Sequence, residues 1–275
     1  MSSSLTSKKV VLLTGASSGI GRVTAELLVE RGYIVYGVSR NKPKESFNFN
    51  WLALDVSDIN SITKGVSQII SQEKSIDILI NNAGISLIGS VENSTTNQIN
   101  TLMNCNLLGV IYLIQQVLPL MKKHQSGTII NISSIGGLIG LPFQGIYCAS
   151  KFAMEGLSES LRMELHQLGI KVVLIEPGDL RTSITKNRQI NAIDKHDHLY
   201  QQHFARTKNT IEKDEYDGGS PEIVARLICK IIHMRKPKVR YTVGKQRSQL
   251  IAPMLKKVLP SRVFEKFIRG YYFNG

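Results

Sequence analysis

Short apolar runs alternate along the chain with longer segments in which apolar residues recur every three or four positions. The first short run, Val10-Val11-Leu12-Leu13, is apolar throughout, which is typical of a parallel strand covered on both faces. The predicted strands are residues 10–14, 34–38, 51–55, 76–81, 128–133, 171–176 and 238–243. The predicted helices are residues 20–31, 58–72, 96–123, 147–168 and 220–234. This alternation predicts an α/β fold with a doubly wound parallel sheet of about seven strands and helices on both faces.

The pattern continues without a linker, a repeat or a long low-complexity tract. A chain of 275 residues fits one domain of this class, so residues 1–275 are predicted to form a single domain. No uninterrupted apolar run approaches the roughly 18 residues that a membrane span requires. Three scattered cysteines indicate reduced thiols instead of a disulfide framework, which predicts a cytoplasmic protein.

Positive charge is concentrated near the C-terminus. The formal net charge is +13, and residues 230–275 contribute twelve lysines and arginines against one acidic residue, Glu265. The C-terminal segment therefore carries most of the excess charge. Nucleic-acid binding is not expected, because no recognised binding motif accompanies this charge.

Three glycines, Gly15, Gly19 and Gly21, follow the first predicted strand and begin the first predicted helix. Glycine permits a tight turn and a close approach of the backbone to a ligand. The free N–H groups of a helix N-terminus attract a pyrophosphate. A glycine triplet alone is a weak signal, but its place between strand and helix is typical of the Rossmann dinucleotide-binding fold.

The end of the second predicted strand indicates which dinucleotide binds. NAD sites usually place an acidic residue here for the ribose 2′-hydroxyl, whereas an arginine accommodates the 2′-phosphate of NADP. Ser39 and Arg40 occupy this position, and residues 34–44 contain no acidic residue. We therefore expect NADP(H) to be favoured over NAD(H); the alternative is an ordinary solvated arginine in a loop.

Ser134, Tyr147 and Lys151 are the main candidates for chemistry. Tyr147 and Lys151 lie four positions apart in a predicted helix, so they share one face. The ammonium is expected to lower the pKa of the phenol, which would let Tyr147 act as acid or base on a carbonyl or an alcohol. Ser134 would donate a hydrogen bond to the substrate oxygen. The alternative is a buried structural tyrosine beside a surface lysine.

Tyr241 and Lys245 repeat the same spacing but are not expected to act together. Tyr241 lies in a predicted strand, where positions four apart are separated by roughly 13 Å. Gly244 also interrupts the pair. The spacing of a tyrosine and a lysine is therefore informative only on a helix.

Together these residues resemble the short-chain dehydrogenase/reductase family, of the common single-domain type, across roughly residues 8–245. The matching motifs are Thr14-Gly-x-x-x-Gly19-x-Gly21, Asp55, Asn81-Asn82-Ala83-Gly84, Asn106, Ser134, Tyr147-x-x-x-Lys151 and Pro177-Gly178 followed by Thr182. Asp179 departs from the family pattern, in which an apolar residue is more usual. The resemblance implies an NADP(H)-dependent oxidoreductase that interconverts a carbonyl and an alcohol by hydride transfer.

The resemblance also implies roles for individual residues. The catalytic residues would be Asn106, Ser134, Tyr147 and Lys151, with Asn106 holding a water that relays protons from Lys151. The cofactor-binding residues would be Gly15, Ser17, Ser18, Gly19, Ile20, Gly21, Ser39, Arg40, Asp55, Val56, Asn82, Ala83, Gly84, Tyr147, Lys151, Pro177, Gly178, Leu180 and Thr182. No metal ion is expected, because hydride transfer by this mechanism needs none.

Within the family, residues 137–143 and 147–156 resemble the branch that contains hydroxysteroid and retinol dehydrogenases, which implies a small lipophilic substrate. Family members pair through long helices such as 96–123 and 147–168, which implies a homodimer. Two other functions stay open. One is a catalytically inactive dinucleotide-binding sensor or scaffold; the other is a sugar-nucleotide epimerase, which would need a larger substrate-binding portion.

Residues 183–219 lie where the family carries its substrate lid. The segment is polar, which predicts a mobile loop that orders over the substrate. Its histidines, His196, His198 and His203, are expected to be solvated and not to bind a metal ion.

Residues 245–275 form a basic C-terminal extension, which Pro253 and Pro260 are expected to divide into short helical pieces. In the favoured interpretation, its apolar residues pack over the substrate mouth. These are Leu255, Leu259, Phe264, Phe267 and Ile268. In the alternative, the extension contacts an anionic membrane, and the protein is peripheral at its surface.

Overall fold

A parallel sheet forms the centre of the computed structural model, which describes residues 8–182, 184, 188–191, 193 and 197–274. The strands in this part of the chain are β1 (Val10–Thr14), β2 (Ile34–Ser39), β3 (Asn50–Ala53), β4 (Ile78–Asn81), β5 (Leu87–Ile88), β6 (Gly127–Ile132), β7 (Ile170–Pro177), β8 (Gln189–Ile190) and β9 (Arg240–Val243). Seven of them pair, all parallel, in the order β3-β2-β1-β4-β6-β7-β9, while β5 and β8 form a separate ribbon. The order reverses between β1 and β4, so the predicted doubly wound sheet is confirmed.

Helices cover both faces of the sheet. They are α1 (Gly19–Glu30), α2 (Ile59–Glu73), α3 (Thr96–Met103), α4 (Gly109–His124), α5 (Gly145–Glu164), α6 (His198–Tyr216), α7 (Glu222–His233), α8 (Arg247–Val258) and α9 (Ser261–Asn274). A π-helical turn, Asn104–Leu108, joins α3 to α4 within the single helix that the sequence predicts. Local capping explains where helices begin: the Asp58 carboxylate accepts from Asn60 N before α2, and Thr95 forms a capping box with Gln98 before α3.

Side chains along each strand alternate between the two faces of the sheet, so each strand contributes to two separate apolar clusters. In β1, Leu12 points to one face and packs in the cluster with α2, α4 and α5, whereas Val11 and Leu13 point to the other and pack with α1 and α7. All three side chains are fully buried. Each contributes roughly 1.5–3 kcal/mol by leaving water, which explains why the run is apolar at every position.

The segment Thr96–His124 is long and apolar enough, by composition, to cross a membrane. In this fold Val110, Leu113 and Val117 are buried in the cluster that covers the sheet. Because these side chains are buried against the sheet, the segment is a core helix of the domain in this structure.

Two sequence predictions about the lid and the extension are wrong. Residues 198–216 form α6 and not a loop, because Asp197 caps the helix and Ile211 anchors it in the core. His198 and His203 lie on α6, and His203 stacks on Phe273, whereas His196 lies outside the described residues. The lid helix is therefore part of the folded domain.

In the extension, Pro260 separates α8 from α9 as predicted, but Pro253 lies inside α8. A proline within a helix costs about 3 kcal/mol. Here the neighbours Ala252 and Leu255 pack against α6 and α9, which offsets this cost.

The lid and the extension share a third apolar cluster. Its buried members are Ile88, Ile139, Ile211, Ala252, Phe264, Ile268 and Tyr272. Of the extension residues expected to pack, Leu255, Leu259, Phe264 and Ile268 do so, but Phe267 is 51% exposed. One face of the extension therefore completes the core, while another faces solvent.

Candidate active site

A cleft of about 710 Å³ lies at the carboxyl ends of the central strands, where the strand order reverses. This is the position at which doubly wound α/β folds bind ligands. All but two of the residues predicted for the site line it; the exceptions are Gly21 and Asn106. Both are buried directly behind the lining.

The glycine turn closes one wall of the cleft. Gly15 and Gly19 have φ values of +70° and +55°, which side-chain-bearing residues rarely adopt. A Cβ on Gly21 would lie 2.2 Å from the Gly15 carbonyl oxygen, so no side chain fits there. The α1 N-terminus behind this turn can therefore receive a pyrophosphate at close range.

Thr14 and Asn82 hold the turn against the neighbouring loop. Thr14 Oγ1 accepts hydrogen bonds from the backbone N–H groups of Asn82 and Ala83, at 3.0 and 2.9 Å. The Asn82 amide donates to the Thr14 carbonyl oxygen at 2.9 Å. Asn82 thus lines the cleft and also fixes the turn.

Positive charge marks the end of the cleft beside β2. Arg40, which is exposed, lines it together with Lys42 and Lys44. The Ser39 hydroxyl accepts from Trp51 Nε1 at 3.0 Å and donates to the Asn41 carbonyl oxygen at 2.8 Å, so its hydrogen is already used. The two lysines, which the sequence argument did not single out, extend the charge that Arg40 provides.

Asp55 also lines the cleft. Its Oδ1 accepts from both the backbone N–H and the hydroxyl of Ser57, at 2.9 and 2.7 Å. The carboxylate is therefore held by its own loop and lines the cleft beside Val56.

Ser134, Tyr147 and Lys151 converge at the other end. Ser134 follows β6 and caps a short 3-10 turn, Ile135–Gly137, with its Oγ accepting from Gly136 N at 3.1 Å. Lys151 Nζ lies 6.0 Å from the centroid of the Tyr147 ring and donates to the Ile132 carbonyl oxygen at 2.9 Å. The structure thus brings together the three side chains that the sequence separates by thirteen and four positions.

The pKa of Tyr147 differs from the sequence expectation. Burial raises the pKa of this phenol to about 12, although a hydrogen bond with Ser134 acts in the opposite direction. Burial also lowers the pKa of Lys151 to about 8. The expected depression of the Tyr147 pKa is wrong for the protein alone, because loss of solvation outweighs the hydrogen bond with Ser134. At neutral pH the phenol therefore holds its proton.

Asn106 supports the site from behind. Its Oδ1 accepts from Ile85 N at 2.9 Å, and its Nδ2 donates to the Ile85 carbonyl oxygen at 3.0 Å and to Ser150 Oγ at 3.2 Å. Ser150 in turn donates to the Tyr147 carbonyl oxygen at 2.7 Å. The side chain thus links the cleft wall to the catalytic helix, and a water relay through Asn106 stays a prediction.

A second buried chain of polar groups was not found from the sequence. Asn81 Nδ2 donates to Asn131 Oδ1 at 2.8 Å, and Asn131 Nδ2 donates to Ser158 Oγ at 2.8 Å. The chain joins β4, β6 and α5, and cleft residues lie directly after β4, at the end of β6 and on α5. Polar residues at apolar strand positions are its only signal in the sequence.

Acidic residues surround the part of the cleft beyond Tyr147. Asp179 and Glu215 line it, together with Arg188, Gln144 and Tyr272. Burial, and then the nearby carboxylates of Asp214 and Glu215, raise the pKa of Asp179 to about 7. Asp179 is the position at which the sequence departs from the family pattern.

Among the residues that the structure describes, no group of three or more His, Cys, Asp or Glu side chains is placed to hold a metal ion. The expectation that the protein uses no metal ion stays a prediction.

Comparison with known proteins identifies the family. The model for short chain dehydrogenase matches residues 9–192. The structure is similar to that of a short-chain dehydrogenase from Streptomyces avermitilis, with a TM-score of 0.81, 29% identity, and coverage of 96% of this chain and 99% of that chain. This protein therefore belongs to the short-chain dehydrogenase family, whose members are oxidoreductases that bind a nicotinamide dinucleotide.

Two reductases are among the relatives that match nearly the whole chain. A 3-ketodihydrosphingosine reductase from Bacteroides thetaiotaomicron is 43% identical over 265 residues, which are 96% of this chain and 98% of that protein. An NADPH-dependent 3-dehydrocapnine reductase from Ornithobacterium rhinotracheale is 30% identical over 271 residues, covering 94% of this chain and 95% of that protein.

Proposed function

We propose that this protein is an NADPH-dependent reductase of a long-chain lipophilic ketone, and that 3-ketodihydrosphingosine is the compound to test first. The observation that carries the proposal is the convergence of Ser134, Tyr147 and Lys151 in one cleft with the glycine turn. The 43% identity to a 3-ketodihydrosphingosine reductase supports the substrate class.

The cleft fits a dinucleotide along its length. The positive φ of Gly15 and the absence of space for a side chain at Gly21 leave a cradle at the α1 N-terminus for the pyrophosphate. Arg40, Lys42 and Lys44 would hold a 2′-phosphate, which supports NADP(H). When bound, the reduced nicotinamide supplies the hydride.

The side chains of the protein bind the carbonyl oxygen of the substrate and supply its proton. Tyr147, whose pKa is about 12, is protonated at neutral pH and can donate to the oxygen as it gains charge. Ser134 donates a second hydrogen bond and orients the carbonyl. Lys151 places a positive charge beside the phenol and stabilises the phenolate that forms when Tyr147 gives up its proton. The protonated phenol is the form of Tyr147 that reduction requires.

The third apolar cluster gives the substrate end its lipophilic character. Leu141, Ile211 and Tyr272 belong to this cluster or pack against it, and they also line the cleft. An acyl chain that enters between the lid helix α6 and the extension would contact these side chains. This arrangement supports a lipid substrate.

The test is Tyr147→Phe assayed with NADPH and 3-ketodihydrosphingosine. Removal of the proton donor should lower kcat by at least about 100-fold, while the melting temperature and the affinity for NADPH stay close to those of the wild type. Unchanged turnover would contradict the mechanism. Binding of NADPH without turnover of any ketone by the wild type would favour the alternative, a sensor or scaffold.

We also propose that the protein is a cytoplasmic homodimer. On α5, Phe152 and Met163 are 39% and 67% exposed, which is compatible with pairing through this helix. Sedimentation velocity of the wild type and of Met163→Arg would test the proposal, because a charge in a paired helix should shift the dimer towards monomer.

A further inference from the structure

We infer that Asp179 is the residue of the substrate cleft that binds a cation, and that the substrate carries an ammonium group close to its ketone. The inference deepens the proposed function and rests on it. It concerns the acidic position at which this chain departs from its family.

Asp179 lies where such a group would meet the reacting carbonyl. It follows Pro177 at the end of β7 and lines the cleft together with Tyr147. Its negative charge is close enough to Tyr147 to raise the pKa of that phenol. A substrate that presents its ketone to Tyr147 therefore brings its neighbouring carbons towards Asp179.

The surrounding structure holds Asp179 in place. Gln249 of α8 accepts from Asp179 N at 2.9 Å, and its amide donates to the Asp179 carboxylate. The Asp179 carbonyl oxygen accepts from Gly219 N at 3.1 Å, at the end of the lid segment. A carboxylate fixed by the extension and the lid is preorganised to bind a ligand.

The charge of Asp179 is not balanced by the described part of the chain. Arg188, whose charge lowers the pKa of Asp179, already forms a buried ion pair with Glu215. The Asp214 carboxylate accepts from the Tyr271 hydroxyl at 2.8 Å through both oxygens. No lysine or arginine among the described residues forms an ion pair with Asp179.

A cationic ligand would relieve this imbalance. An ammonium group within hydrogen-bond distance favours the ionised carboxylate and forms a charge-assisted hydrogen bond with it. The compound proposed as the first substrate, 3-ketodihydrosphingosine, carries a protonated amine on the carbon next to its ketone. The chemistry of the cleft and of this substrate therefore agree.

The experiment compares two ketones with equal chains, 3-ketodihydrosphingosine and its analogue without the amine, in the wild type, Asp179→Asn and Asp217→Asn. Asp179→Asn removes the charge and keeps the shape and an oxygen for Gln249. It should lower kcat/KM for the amino ketone by roughly 10- to 100-fold, mainly through KM. The analogue without the amine should lose far less, because it has no cation for Asp179 to bind.

The remaining variants are controls. Asp217→Asn removes the same charge from an exposed position outside the cleft and should leave both ketones unaffected. Asp179→Glu, which keeps the charge, should retain a preference for the amine, and melting temperatures identify any variant that fails to fold.

Equal losses on both ketones, or no loss on either, would overturn the inference while the proposed function stands. If the wild type reduces neither ketone, the inference and the proposed function are both refuted.

A separate observation carries a second proposal. We propose that the outer face of α8 and α9 docks on an anionic bilayer. This face is defined by Ile251, Met254, Val258, Val263, Phe267 and Tyr271, which are all exposed. They recur at spacings of three and four, so each helix presents one apolar stripe to solvent.

The charge around these stripes matches an anionic surface. The basic residues of the two helices are Arg247, Lys256, Lys257, Arg262, Lys266 and Arg269, against the single acid Glu265. Apolar residues flanked by basic ones are typical of helices that lie in a membrane interface. The buried face of α9 carries Tyr272, which lines the cleft, so docking would place the substrate end near the bilayer.

Co-sedimentation with vesicles tests this proposal. The wild type should pellet with vesicles of 30% phosphatidylglycerol in phosphatidylcholine, more weakly at high salt, and not with pure phosphatidylcholine. Val258→Ser with Phe267→Ser should reduce pelleting by about tenfold or more. The matched control is Val91→Ser with Leu199→Ser, which changes similarly exposed apolar residues elsewhere. Equal pelleting of all three proteins would overturn the proposal. So would a result in which Val258→Ser with Phe267→Ser changes only the self-association of the protein and not its pelleting with vesicles.

Discussion

Replacement of Gly21 by alanine tests the packing of the dinucleotide turn. A Cβ at this position would lie 2.2 Å from the Gly15 carbonyl oxygen and 2.6 Å from Asn82 Nδ2. The first atom is backbone of the turn, and the second is fixed to it, since the Asn82 amide donates to the Thr14 carbonyl oxygen. The methyl group therefore fits only if the backbone of the turn moves.

The expected cost follows from this contact. Overpacking of a rigid site typically costs 1–3 kcal/mol, so Gly21→Ala should lower the free energy of unfolding by about that amount. Displacement of the turn should also weaken NADPH binding by at least about tenfold, because the pyrophosphate depends on the position of these backbone N–H groups.

Gly270→Ala is the matched control. Gly270 lies in α9, outside the dinucleotide turn, and nothing lies within 4 Å of a Cβ placed there. Alanine should stabilise the helix by roughly 0.5–1 kcal/mol and leave NADPH binding unchanged. Urea unfolding and titration calorimetry measure both quantities. If Gly21→Ala binds NADPH and unfolds like the wild type, the close packing described for the turn is wrong.

Three further predictions concern charged groups. Arg40→Asp should lower kcat/KM with NADPH much more than with NADH, and equal losses would argue against a 2′-phosphate site. Glu215→Gln leaves the buried Arg188 unpaired and should cost roughly 3–5 kcal/mol in urea unfolding, whereas Glu222→Gln, which breaks an exposed pair with Arg226, should cost less than about 1 kcal/mol. Asp179 has a pKa of about 7 in the folded protein against 3.8 ordinarily, so the folded state binds its proton more tightly. The free energy of unfolding of the wild type, relative to Asp179→Asn, should therefore fall by about 1–3 kcal/mol from pH 4 to pH 7 and then level off; a rise over this range would refute the assignment.

Helix α5, which carries Tyr147 and Lys151, shows what local sequence patterns can predict. The spacing of Tyr147 and Lys151 on one helix face was sufficient to predict that they act together, and the strand assignment of Tyr241 excluded the second pair correctly. The direction of the Tyr147 pKa was wrong, because burial of the phenol depends on packing around it.

The lid and the extension show where local signals fail. The polar sequence of α6 predicted a loop, and Pro253 predicted a helix break, yet both segments are helical because they pack against each other in the third cluster. Such contacts join residues more than forty positions apart, and no local pattern reports them. Lys42, Asn131 and Gln249 were missed for the same reason.

What the sequence determined by itself is the sheet, the covering helices, the glycine turn and the candidate side chains that converge in the cleft, since these follow from periodicity and from contacts within a few residues. The tertiary structure alone decided which charges line the cleft. Asp179, Arg188 and Glu215 come from different segments, and the pKa of Asp179 depends on burial and on the charges of the other two. Solvation and pairing of charges are properties of the packed chain, so only the fold could show a carboxylate without an ion pair beside Tyr147.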